Sequence, residues 1–339
     1  MTDLIEIDGS HLEGGGQILR TATGLAAATG KACRIYHIRR GRSSPGLAAQ
    51  HLAGVRAVAR TCGAELEGDA IDSQELLFRP GRLDPPERFT AEVGTAGSVT
   101  LVLQGVTIPL VCSRGATEVS VTGGTHVKWS PRADYFRHVF AWFLGRMGVR
   151  AEQMEERPGF YPRGGGRLTV RVQGGGLRGA SFTERGEPLG IRVRSIATED
   201  LRRANVAERQ LEGVRSVLEP DEEKAEYVRS PSTGTAVHLT ACYEGCRLGA
   251  SALGERGKPA ERVGRQAAER LRRETESGAC LDAHMADQIL PYMALADGPS
   301  AACVSEVTDH CRTNIWVIRQ FLPVRFEVDE ESGLIRCTP

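Results

Sequence analysis

The chain has no net charge of either sign, with 43 Lys and Arg against 43 Asp and Glu over 339 residues. No global field therefore draws nucleic acid to it, and any anion site must be a local cluster. No apolar run approaches the roughly 20 residues that a membrane-spanning helix needs. The stretch MTDLIEIDGS lacks the basic and apolar regions of a signal peptide, so a cytoplasmic protein is expected. Cysteine supplies no covalent framework. The nine residues are odd in number and scattered, as reduced thiols are. Only CYEGC (Cys242, Cys246) holds a close pair, and no second Cys or His pair stands at zinc-like spacing. Both thiols are expected buried or half-buried on a strand. The common nucleotide fingerprints are missing as well. RGGGR (163–167) has too few Rossmann positions, and no Gly-Lys-Ser/Thr follows it.

What is present is ordinary globular material rich in turns. Apolar residues make up 40% and glycine numbers 40, in a chain long enough for two domains. EGGGQILRTATG (13–24) sets three glycines between a carboxylate and a helix-like run. Such a run is either a flexible turn or a place where backbone N–H groups approach an anion at a helix start.

An internal repeat bears on that choice. Shifting the sequence by 271 residues lays EGGGQILRTA (13–22) over HMADQILPYM (284–293), and the Gln-Ile-Leu triplets coincide. RIYHIR (34–39) then lies over SEVTDH (305–310), two strand-like runs ending in Arg39 and His310. Helix-like stretches follow at 46–63 and 312–322. A third copy lies between, with helices at 95–111 and 130–148 around a strand at 117–125. In the helix at 130–148, Phe136, Val139, Phe140, Phe143, Leu144 and Met147 recur at three and four residues, which predicts one buried face. Leu52, Val55, Ala59 and Cys62 make the matching stripe. The unit is helix, strand, helix, strands, repeated three times. Equivalent strand exits then converge, bringing together Glu13, Arg20, Arg39, Arg42, Gln104, Asp287, Gln288 and His310.

Residues 184–277 follow another rhythm and predict an inserted β-α-β-β-α domain, with Asn205 as an N-cap and Pro259 near a helix start. The large body is then 1–183 with 278–339.

Several residues invite a chemical reading. A neutral imidazole at His310 is a good nucleophile if an acceptor holds its second nitrogen, and Asp309 or a backbone carbonyl is available. The alternative is an exposed turn histidine. Arg20 follows Ile18 and Leu19 in an apolar helix and needs an anionic partner or a path to solvent. Arg39, Arg40 and Arg42 form either a phosphate clamp or a solvated basic turn. Asp287 either joins Glu13 in holding a divalent cation or caps a helix.

These blocks resemble a known family. EGGGQILR, RRGRSSPGLAAQHL, SQELLFRPG, GTAGSVTLVLQ, GFYPRGGG, ADQILPYMALA and HCRTNIWVIRQFLPVRF are similar, in order, to the blocks of RNA 3′-terminal phosphate cyclase. The resemblance runs from about residue 5 to 330 and is weakest in the insert. It implies an α/β fold of three repeated units, each with two helices on a four-stranded sheet, plus a smaller α/β insert. It implies an ATP-dependent reaction in which His310 becomes adenylylated. AMP then passes to an RNA 3′-phosphate, and closure gives a 2′,3′-cyclic phosphate. By the same resemblance, Gln104, His284, Met285, Ala286, Asp287 and Gln288 contact ATP. Arg20, Arg39, Arg42, Gln50 and His51 serve phosphates or the RNA end, and Glu13 and Asp287 serve Mg²⁺ or Mn²⁺. Related cyclases often have tyrosine where this chain has His284, a smaller stacking surface for adenine. Non-catalytic relatives that act in ribosome assembly lack the nucleophilic histidine, which here is present.

Overall fold

The computed structural model describes residues 4–339, so the first three residues of the expected large body lie outside the described residues. The fold is mixed α/β. Among the described residues its strands form four separate four-stranded sheets.

The first sheet and its helices run β1 (Ile5–Asp8), α1 (Gly16–Thr29), β2 (Cys33–Tyr36), α2 (Ala49–Cys62), β3 (Glu65–Glu67) and β4 (Leu76–Arg79), with strand order β1-β2-β4-β3. β1 and β2 pair in parallel, and the other pairs are antiparallel. The crossover helix α1 has the length such a parallel link requires. Its apolar residues Ile18, Leu19, Ala22 and Leu25 are buried, and it stops at Gly30, whose left-handed backbone returns its N–H to the Ala26 carbonyl.

The second sheet repeats this order. β5 (Arg88–Glu92) leads to α3 (Val99–Cys112), β6 (Ala116–Gly123), a helical run from α4 (Ala133–Tyr135) through a π turn (Phe136–Phe140) to α5 (Ala141–Arg146), then β7 (Arg150–Arg157) and β8 (Gly166–Gln173). The order is β5-β6-β8-β7, again with one parallel pair. The predicted apolar stripe from Phe136 to Met147 is buried along its whole length. The π turn passes without interrupting it. Helix α3 is apolar on nearly all sides, because α1 and α2 pack against it from the neighbouring unit.

β9 (Ser181–Phe182) precedes a differently built region. β10 (Pro188–Thr198), α6 (Val206–Arg215), β11 (Glu222–Val228), β12 (Thr235–Tyr243), β13 (Arg247–Leu253) and α7 (Ala260–Glu276) make the sheet β11-β10-β12-β13. The expected β-α-β-β-α pattern is corrected to β-α-β-β-β-α. The strand-like runs that stand out, 189–197 and 235–244, become β10 and β12, while β11 is mostly charged and β13 is short and built largely of small residues. Val193, Leu211, Val237, Leu248, Val263 and Leu271 form a core of this region's own. Asn205 does precede α6, but in a left-handed conformation and without a side-chain cap. Cys242 lies on β12 and Cys246 in the turn before β13, and both are buried.

The chain then forms α8 (Ala283–Leu295), β14 (Ser300–Cys303), α9 (Asp309–Phe321), β15 (Arg325–Asp329) and β16 (Leu334–Thr338). With β9 they give the order β15-β16-β14-β9, in which β9 and β14 are parallel. The strand expected at 305–310 is not one. β14 ends at Cys303, and Thr308 caps α9 by accepting from the Cys311 N–H at 3.3 Å. His310 therefore stands in the first turn of a helix rather than at a strand exit.

Candidate active site

Four helices meet where the special residues gather. Helix α1 packs against both α3 and α9, and α8 against α9. Two buried polar side chains fix the mutual height of three of them. Thr21 on α1 donates to Asn314 Oδ1 on α9 at 2.6 Å, and Asn314 Nδ2 donates to the Asp287 carbonyl on α8 at 2.7 Å.

Gln17 sits at the centre. Its amide nitrogen donates to Asp287 Oδ2 at 2.8 Å and to the His310 backbone carbonyl at 3.1 Å. Its side-chain oxygen faces His310 Nδ1. Glu13 Oε2 lies 2.5 Å from the same ring nitrogen, and Glu13 Oε1 accepts from Arg42 Nη2 at 2.7 Å. Among the described residues His310 Nε2 has no hydrogen-bond partner. The acceptor expected for the second nitrogen was Asp309 or a backbone carbonyl. Instead Asp309 pairs with Arg312, and Gln17 holds Nδ1 with Glu13 Oε2 beside it. With Nδ1 carrying the proton, the free lone pair is on Nε2. Burial, with Arg20 and Arg42 nearby, lowers the His310 pKa against the pull of Glu13. The imidazole is therefore neutral near pH 7, the form that can attack.

The arginines converge only in part on this point. The partly buried Arg20 forms no hydrogen bond through its guanidinium among the described residues. Burial lowers it to about 10, while Asp287 and Glu13 pull the other way as its anionic neighbours. Burial pushes Asp287 up to about 7 despite Arg20. Arg39 adopts φ 55° and donates to the Gly46 carbonyl at 2.8 Å. Burial and Arg42 lower its pKa. Arg40 is exposed.

The glycines have separate structural reasons. Gly14 takes φ 58°, a backbone that side chains disfavour. Gly16 begins α1 against His51, where a Cβ would stand 2.3 Å from the ring Nε2. Among the described residues no side chain caps α1, so its first N–H groups are left for another acceptor. His51 receives the Ala48 N–H on Nδ1 at 3.1 Å. Burial, with Arg39 and Arg20, presses its pKa down to about 3. Gln50 accepts from the Ser98 N–H at 3.0 Å, and with Arg20 and His51 it lines a shallow pocket.

The third region of the site is looser. Gln104 donates to Gln288 Oε1 at 2.8 Å, and Gln288 to the His284 carbonyl at 2.7 Å. His284 is exposed, whereas the side chains of Met285 and Ala286 are fully buried in the core, so only their backbone is available to a ligand. Asp287 is not the helix cap. Asp282 is, accepting from the N–H groups of His284 and Met285 at 3.0 and 2.9 Å. A concavity of about 810 Å³ at the start of α7 contains none of these residues.

Sequence reasoning missed Gln17, Asn314 and Asp282. Gln17 left a signal, since it is the residue that falls on Gln288 in the repeat.

A sequence profile of the family described as RNA 3′-terminal phosphate cyclase matches residues 11–328. A protein named RNA 3′-terminal phosphate cyclase from Methanopyrus kandleri is 45% identical, covering 97% of this chain and 96% of its own. One of that name from Nitrosospira multiformis is 45% identical over 98% and 95%, and one from Archaeoglobus fulgidus 44% over 96% and 98%. Among solved structures, the enolpyruvyl transferase NikO from Streptomyces tendae aligns at a TM-score of 0.28 and 13% identity, over 100% of this chain and 66% of that one. At that level the likeness carries no weight for fold or function.

Proposed function

The chain belongs to the RNA 3′-terminal phosphate cyclase family, and from that premise we propose that it closes RNA 3′-phosphates to 2′,3′-cyclic phosphates with ATP, by adenylylation of His310. His310 Nε2 attacks the α-phosphorus of ATP and pyrophosphate leaves. An oxygen of the RNA 3′-phosphate then attacks the same phosphorus and His310 leaves, giving an RNA(3′)pp(5′)A end. The adjacent 2′-hydroxyl attacks the RNA phosphorus, AMP departs, and the ring is closed.

The observation that carries this reading is the Gln17 bond to Nδ1, with Glu13 Oε2 lying against the same nitrogen and Nε2 left free. Glu13 and Gln17 keep the ring in the nucleophilic tautomer and at one angle. Arg20, Arg39 and Arg42, with the uncapped start of α1, offset the repulsion between ATP and the RNA phosphate. Fixed donors of this kind also stabilise charge that develops on the phosphoryl oxygens. Gln104, Gln288 and the backbone of 284–288 are the proposed adenosine contacts.

Mg²⁺ or Mn²⁺ fits beside them. Glu13 Oε2 is buried and accepts no hydrogen bond of good geometry, and Asp287 is a second carboxylate nearby. A bound ion would neutralise phosphate charge there, and Glu13 and Asp287 would hold it.

The same reading gives the large body, 1–183 with 278–339, three repeated units that carry the chemistry, and makes 184–277 a small inserted domain. The common strand order and the single parallel pair in each sheet support the repeat.

An RNA ending in a 2′-deoxy sugar with a 3′-phosphate tests the sequence of steps. It should accept AMP and then stall as a species one AMP longer on a denaturing gel, because the attacking oxygen is missing. The adjacent 2′-hydroxyl of ordinary RNA supplies proximity of roughly 7–11 kcal/mol, so there the intermediate should scarcely accumulate. Cyclisation of ordinary RNA with no adenylylated 2′-deoxy product would contradict the order proposed.

A further inference from the structure

A second polar cluster lies outside the active site, where β7, α4 and the turn after β6 meet β10. His126 Nε2 lies 3.2 Å from Asp134 Oδ2 and 3.9 Å from Glu156 Oε1. One atom from each of the three side chains falls within 4.8 Å of the other two. His126 and Asp134 are buried, and the Glu156 side chain is only 9% exposed. Arg194 holds the outer oxygens. Its Nη1 donates to Asp134 Oδ1 at 2.7 Å and to Glu156 Oε2 at 2.9 Å. The inner oxygens therefore point at the imidazole in fixed orientations.

The far side of the ring is fixed too. His126 Nδ1 stands 2.8 Å from Thr125 Oγ1, and that oxygen already accepts the Gly159 N–H at 2.8 Å. Nδ1 can then be the donor, which leaves the Nε2 lone pair facing two carboxylate oxygens. A proton on Nε2 would satisfy Asp134 alone. Glu156 Oε1 would stay as it is in the structure, buried and without a hydrogen-bond partner. An orphaned buried carboxylate oxygen is costly, and an ion between the three atoms removes the cost.

We propose that His126, Asp134 and Glu156 bind a divalent transition-metal ion of the Zn²⁺ class, in a structural site distinct from the Glu13 and Asp287 pair. One imidazole and two carboxylates suit such an ion, whereas Mg²⁺ prefers oxygen alone. Tetrahedral ligand atoms about 2.1 Å from zinc lie about 3.4 Å apart. The His126–Asp134 spacing already matches, and small side-chain rotations bring Glu156 in. Arg194 and Thr125 act behind the ligands, as the outer partners of metal ligands do. Because Arg194 is on β10, the ion fastens the second sheet to the region of 188–276.

Metal content after loading tests this. The full chain is incubated with Zn²⁺ under reducing conditions and dialysed against metal-free buffer, and zinc per chain is then measured. Wild type should retain about one ion, and its thermal midpoint should rise with Zn²⁺. Glu156→Gln keeps the shape and one oxygen for Arg194, and should lose both the ion and the rise. His126→Asn should do the same, and circular dichroism establishes that each variant is folded. Glu13→Gln should keep the ion. No zinc in wild type, or equal zinc in wild type and Glu156→Gln, overturns the proposal. Loss from Glu13→Gln with retention in Glu156→Gln places the ion elsewhere and also overturns it.

Discussion

Gln17 on α1 faces His310 Nδ1 on α9 through its side-chain oxygen and ties the same histidine's neighbourhood to Asp287 through its amide nitrogen, 2.8 Å from Oδ2. One side chain thus sets the angle of the nucleophile relative to the carboxylate on α8. Gln17→Ala removes a positioning contact and leaves Glu13 as the only side chain on Nδ1. His–AMP formation should slow by roughly tenfold or more, as for loss of a contact worth about 1.5 kcal/mol. ATP affinity should change little. Single-turnover labelling over a range of ATP concentrations separates the two, and an unchanged rate with weakened binding would refute the positioning role.

Phosphate handling should be concentrated, not spread. Arg20→Ala and Arg39→Ala should each lose roughly ten- to a hundredfold in cyclisation, the effect of a charge-assisted contact of about 1.5–3 kcal/mol. Arg203→Ala, at an exposed position between β10 and α6, should lose almost nothing. Equal modest losses at all three, measured as kcal-equivalent changes in kcat/KM, would mean that the arginines do not share one site.

Acid should destabilise this protein earlier than its carboxylates alone require. Burial presses His238 from 6.5 to about 3, with Ser251 and Thr240 bonded to its two ring nitrogens at 2.9 and 3.0 Å. His51 is depressed similarly. The folded protein keeps both rings neutral, and the unfolded chain protonates them below 6.5. Their contribution is therefore whole above pH 6.5 and shrinks as pH falls toward 3. Asp134 beside His238 is held below the usual carboxylate range against its burial, with Arg194 as its cationic partner. Each ring should add up to about 1.4 kcal/mol of lost stability per pH unit. Denaturant melts between pH 6.5 and 4 should show a shallower slope for His238→Gln than for wild type. Parallel slopes would contradict this account.

Much of the fold was legible because its signals are local. The stripe from Phe136 to Met147 and the Gln-Ile-Leu coincidence of 17–19 with 288–290 both report buried helix faces, and helices stand there. β13 was hard to read, because RLGASAL is short and its apolar positions Ala250 and Ala252 are small, and its pairing with β12 is what makes it a strand. The site divides the same way. Arg20, in an apolar helix, announced its need for anions from sequence alone. That Glu13 and Gln17 share His310 Nδ1 could not be read, since the two sides lie 293 residues apart for Gln17 and are brought together only by packing of α1 on α9. Sequence proximity pointed to Asp309, which instead pairs with Arg312 one turn along the helix.

Covalent labelling at His310 tests the central claim most directly. Wild-type protein incubated with ATP labelled at the α-phosphorus should carry one AMP through a bond that is acid-labile and alkali-stable, as a P–N bond is. Peptide mapping should place it at 310. His310→Asn keeps a similar volume, should fold with an unchanged circular dichroism spectrum, and should carry no label and cyclise no RNA. Label on His310→Asn at the wild-type level, or cyclisation by it, would contradict the account.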